Sequence, residues 1–189
     1  MAAWKELGGP ARIIGTAIDR AVAAAGTHDR DAYGSAVADL VALPAEQAGH
    51  VLGALVRLLL EDQHPDGMDT DGIRLVLARC YRAAAGWLPA QRLDVHTLAA
   101  ALASALGIHE PGVTYEDITA PPTAGRDGDD DWSSPGEADT PSPVPTAAAY
   151  LWHAPLLIAD LLAAGGRPLG RYLDTAFTEI ARAETMESP

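Results

Sequence analysis

Residues 45–63, AEQAGHVLGALVRLLLEDQ, and residues 70–87, TDGIRLVLARCYRAAAGW, flank the short acidic segment HPDGMD. In the first block Ala48, Val51, Leu52, Leu55, Leu58 and Leu59 recur at steps of three and four. In the second, Ile73, Val76, Leu77, Cys80, Ala84 and Trp87 do the same. Recurrence near 3.6 residues marks a helix with one buried stripe. Two such helices joined by a short loop are expected to pair antiparallel, stripe against stripe. That pair is the expected nucleus of the fold.

The same periodicity extends outward. Pro10 suits the first turn of a helix carrying Ile13, Ile14, Ala17, Ile18, Ala21, Val22 and Ala25, with Gly26 as its terminator. Thr27 is the expected N-cap of a second helix, with the stripe Tyr33, Val37, Leu40 and Val41. Asp69 or Thr70 caps the fourth helix, and Asp94 caps a fifth with Val95, Leu98, Ala99, Leu102 and Leu106, stopped by Gly107. Helical signal returns at Pro145. Pro155 then either kinks that segment or divides it near His153. A last helix opens at Pro168 with Leu169, Tyr172, Leu173, Ala176, Phe177 and Ile180 inward. Trp4 is expected to dock on the body. No long run alternates apolar with polar residues, so strands have no support.

The expectation is therefore an all-α fold: one domain over residues 1–189, with about seven helices in a body spanning 10–107 and 145–186. Between helices five and six, residues of about 110–144 are rich in Pro, Gly, Asp, Ser and Thr. Such composition buries too little apolar surface to offset ordering, so it predicts a long acidic, disordered loop.

The chain has 189 residues and a net charge of −13, with 48% hydrophobic and 5% aromatic residues. A negative surface repels phosphate backbones and anionic lipid, so neither nucleic acid nor membrane is an expected partner. The apolar run from Ala154 stops at Asp160, short of a membrane span. No apolar leader-like region opens the chain, so a cytoplasmic setting is expected. A single cysteine, Cys80, excludes an internal disulfide and lies on an apolar stripe, where a thiol packs as a small hydrophobe.

Chemistry-bearing residues fall into three groups. Glu61, His64, Asp66, Asp69 and Asp71 are the densest metal-capable set. Their spacing fails the EF-hand scheme: with Gly72 at loop position six, the terminal ligands become Gly67 and Ala78. Capping and helix-dipole roles account for Asp69 and Asp71 more simply. Tyr150, Trp152 and His153, beside the Pro155 break, are a candidate ligand pocket. Arg74 and Arg82 on one helix face, and Asp129, Asp130, Asp131 and Trp132 in the acidic segment, are candidate partner contacts.

No phosphate loop, nucleophile elbow, Cys-x-x-Cys or His-Glu-x-x-His motif is present. No cofactor is expected. The residues favour a non-catalytic protein-interaction or scaffolding module that self-associates as a homo-oligomer. The alternatives are a small-molecule or metal-binding helical enzyme, and an acidic inhibitor or mimic of a basic partner.

Overall fold

The computed structural model describes residues 3–107, 146–165 and 167–187. These form seven α-helices: α1 (Gly9–Gly26), α2 (Arg30–Val41), α3 (Ala45–Gln63), α4 (Thr70–Ala85), α5 (Val95–Ala105), α6 (Ala147–Gly165) and α7 (Leu169–Glu187). Two single 3₁₀ turns, Ala3–Glu6 and Ala90–Arg92, complete the ordered elements. No strand occurs among the described residues, as the all-α reading expects. The connection expected to be a disordered acidic loop lies outside the described residues.

Capping follows the sequence at three places. Asp29 accepts from the Ala32 N–H, Asp69 from the Gly72 N–H, and Asp94 from the His96 and Thr97 N–H groups. Each satisfies an amide that the first helical turn leaves unpaired. Thr27 is thus not the cap of α2; it closes α1. Gly26 does not terminate α1 by turning left-handed either. The helix runs through it, and His28 takes the left-handed position at φ 57. The Asp29 N–H donates to Ala24 O and the His28 N–H to Ala25 O, which is the Schellman pattern.

The expected α3–α4 pair is not the nucleus. The two helices scarcely touch, and both turn their stripes to α6, which arrives about a hundred residues later in the chain. α6 packs on α1, α2, α3, α4 and α5. The reason lies in its sequence: AAAYLWHAPLLIADLLAAG is apolar on nearly every side. A helix of that kind has to be enclosed rather than laid on a surface. Its length and mean hydropathy of 1.4 also match a membrane span, contrary to the expectation from the sequence. In the fold it is the core helix, with Leu151, Ala154, Leu157, Ile158 and Leu161 at 1% exposure or less.

α3 and α6 run parallel. Gly53 faces the Tyr150 hydroxyl near their starts, and Gln63 Nε2 donates to Leu161 O at 2.8 Å near their ends. α7 returns along α3, held by Arg57–Glu179, by Tyr172 Oη donating to Asp62 at 2.8 Å and by Arg167–Asp62 at 2.6 Å.

Trp4 docks as expected, 2% exposed, and its backbone N–H donates to Asp174 Oδ1 at 2.6 Å. Gly15 makes room for the ring. A Cβ there would lie 2.6 Å from Trp4 Cε3 and 3.2 Å from Phe177 Cε2. Replacing Gly15 with Ala should therefore displace the indole despite the gain in helix propensity, at a net cost of about 1–2 kcal/mol. Denaturant unfolding and the tryptophan emission spectrum check this; an unshifted spectrum with raised stability would contradict the packing.

Candidate functional site

A row of rings runs across the middle of the molecule. His28 stacks on Trp87 at 5.7 Å and 19°. Trp87 meets Tyr33 edge-on at 5.3 Å, and Tyr33 meets Trp152 edge-on at 5.2 Å. The Arg92 guanidinium lies 5.2 Å from the Trp152 ring centre. In a chain with 5% aromatic residues, this row gathers two of its four tryptophans. Edge-to-face geometry aligns the positive ring edge with the negative face of its neighbour.

The row is tied to α6 by hydrogen bonds. Tyr33 is wholly buried, and its hydroxyl donates to Trp152 O. Burial raises the phenol well above its ordinary value of 10.0, so it remains a donor. His153 is 4% exposed and bonded through both ring nitrogens. Its Nε2 accepts from the Asp94 N–H at 2.9 Å, so the ring proton sits on Nδ1 and is given to Ala149 O at 2.8 Å. An amide can only donate, which fixes the tautomer. Thus α6, though continuous through Pro155, is fastened in the turns before the proline to α2 and to the cap of α5.

Tyr150, Trp152 and His153 do not converge. Tyr150 points to α3, its hydroxyl pushed up to about 12 by burial. Trp152 joins the ring row, and His153 is engaged with Asp94. The expected metal set is similarly dispersed. Glu61 pairs with Arg57, Asp69 caps α4, Asp71 pairs with Arg74, His64 closes α3, and Asp66 is exposed in the loop. No group of three or more His, Cys, Asp or Glu among the described residues is placed to hold a metal ion. Arg82 donates to Ala78 O one turn back. Asp129, Asp130, Asp131 and Trp132 lie outside the described residues.

Asp94 shows how these carboxylates are used. Burial opposes its charge, but bonds from Thr97 Oγ1 and from the His96 and Thr97 amides outweigh that and hold it below its ordinary 3.8. Cys80 is 1% exposed, and desolvation pushes its thiol up to about 12, so it is no thiolate nucleophile.

Large apolar side chains remain at the surface near the start of α1 and at the end of α2. Leu7, Ile13 and Val41 are 38%, 55% and 39% exposed. Ile13, expected to face inward, borders a groove of about 370 Å³ with Ala17, Leu43 and Arg12. On the other side of α1, Leu7, Pro10, Ile14, Phe177 and Ile180 border a second groove of about 340 Å³.

No family model matches the chain, and no curated protein or solved structure matches it either.

His153 yields a signed pH test. Desolvation holds its pKa below the ordinary 6.5, so the fold prefers the neutral ring. Its contribution should be fully present above about pH 6.5 and be lost as pH falls through the lower folded-state value. Replacing His153 with Ala should cost about 1–3 kcal/mol at pH 7.5, because the Asp94 amide loses its acceptor. The gap to the parent should narrow on acidification toward pH 5, as followed by denaturant unfolding. A gap that widens would contradict a buried neutral ring.

Proposed function

We propose that this chain is a non-catalytic protein-interaction module that associates with a second copy of itself through the surface around the first half of α1. One observation carries the reading. Two of the five large apolar side chains left exposed in the described residues, Leu7 and Ile13, border the grooves that flank the first half of α1. Isolated exposed leucines are ordinary, whereas a contiguous patch rimmed by polar groups is the mark of a protein contact.

Charge favours the same place. At −13, two copies repel over most of their surfaces. Lys5 and Arg12 are exposed beside Leu7 and Ile13 and outnumber Glu6 there, so repulsion is reduced at this place. The reactive residue types support a non-catalytic role, since many of the described ones are occupied in capping, ion pairs and the bonds of His153. A free, buried Cys80 accords with a reducing, cytoplasmic setting.

Ile13 is exposed, so Ile13→Asp should leave the melting temperature nearly unchanged. Light scattering across a hundredfold range of concentration should show the parent rising above monomer mass and the Ile13→Asp variant remaining monomeric. A parent that is monomeric throughout, or a variant that associates as the parent does, would refute the proposal.

A further inference from the structure

At the far end of α1, some 15 residues and about 22 Å of helix from Ile13, lies a separate feature. α1, α4 and α6 leave a half-open cleft of about 100 Å³ between them. His28, Trp87, Leu156, Cys80 and Asp160 line it, and alanines supply the rest of its floor.

Asp160 is the one charged residue of α6, and its side chain is only 10% exposed. Arg79 Nε donates to its Oδ2 at 2.8 Å. Oδ1 has no hydrogen bond among the described residues, and the carboxylate borders the cleft. Arg79 is 39% exposed, so Asp160 alone of the pair is largely desolvated, and a desolvated carboxylate is costly unless its partners compensate. Stability alone therefore gives little reason for a carboxylate on this helix. An acceptor directed at a ligand does.

The roof is equally specific. His28 holds a left-handed backbone that glycine would adopt freely and that costs other residues about 1–2 kcal/mol. That position closes α1, and it sets the ring on Trp87 at the mouth of the cleft. The interior is close to electrically neutral: Arg79 offsets Asp160, and the Cys80 thiol keeps its proton. Neutral molecules are thus preferred to ions. The volume is that of about three waters, so a fused two-ring molecule would enter by one edge and leave the rest in the open mouth of the cleft.

We infer that this cleft is a binding site for a small, neutral, planar heteroaromatic compound whose N–H donates to Asp160 Oδ1 while its ring packs against Trp87 and the alanine floor. A hydrogen bond to a carboxylate in a partly dry site favours the donor over an equally shaped molecule lacking it. Indole and benzofuran form such a pair, differing by N–H against O.

The test titrates each into the full chain, observed by saturation-transfer NMR and by the His28 ring resonances. Indole should bind saturably, shift the His28 signals, and bind about tenfold more tightly than benzofuran, the ratio expected of one charge-assisted hydrogen bond. Ala163 is exposed and borders the cleft, so Ala163→Leu should fill it without disturbing the core and abolish binding. His28→Gly relieves the backbone, should fold, and should weaken indole by removing the roof. The inference fails if indole does not bind, if benzofuran binds equally well, or if Ala163→Leu leaves the affinity unchanged.

Discussion

A helix that is apolar on nearly every side has no face to give to water, and this constraint organises the molecule. α6 meets it by standing among α1, α2, α3, α4 and α5. The elements that come earlier in the chain wait for it: the stripes of α3 and α4 have their partner only when α6 is in place. Enclosure creates a polar problem as well, because Pro155 removes one amide from a buried helix. Close to that point Tyr33 bonds to Trp152 O and His153 bridges Ala149 O to the Asp94 amide, whereas the carbonyl that the proline deprives of its helical donor is Leu151 O. The atoms bonded in this network stabilise the buried segment, although the Trp152 Nε1 beside them is buried with no partner among the described residues.

The same logic sorts the charged residues. Most carboxylates with chemical potential are committed to structure: Asp29, Asp69 and Asp94 cap helices, while Asp62, Asp39 and Glu179 tie neighbouring helices together through arginine or tyrosine. Asp160 stands apart because its carboxylate is only 10% exposed, uses one oxygen and borders a cleft. Function in such a chain falls to surface and shape rather than to a reactive constellation. The α1 grooves suit a protein partner, and the cleft under His28 suits a small ring.

Periodicity carries the helices faithfully. The stripes of α1, α3, α4 and α5 are legible in sequence because each of these helices lies on one side of a core and keeps a polar face. α6 is legible as a helix but not as the hub, since an all-round apolar segment has no stripe to say what it faces. The α3–α4 pairing misleads for the complementary reason: adjacency and a short loop favour a hairpin, but neither records a competitor a hundred residues away. Gly26 misleads through propensity, because the Schellman turn falls two residues later on a histidine. Of the candidate site residues, Trp152 and His153 are visible beside Pro155, though their bonds are structural. Asp160 reads only as the end of an apolar run. His28 and Trp87 come together through tertiary packing, which no local pattern encodes.

Native-state hydrogen exchange tests the central role of α6 most directly. The slowest amides, those that exchange only by global unfolding, should belong to Leu157, Ile158 and Leu161 of α6 and to Leu55, Val56 and Leu59 of α3 beside it. If α3 and α4 instead share the slowest exchange while α6 opens at lower free energy, the local hairpin organises the fold and α6 is not its hub.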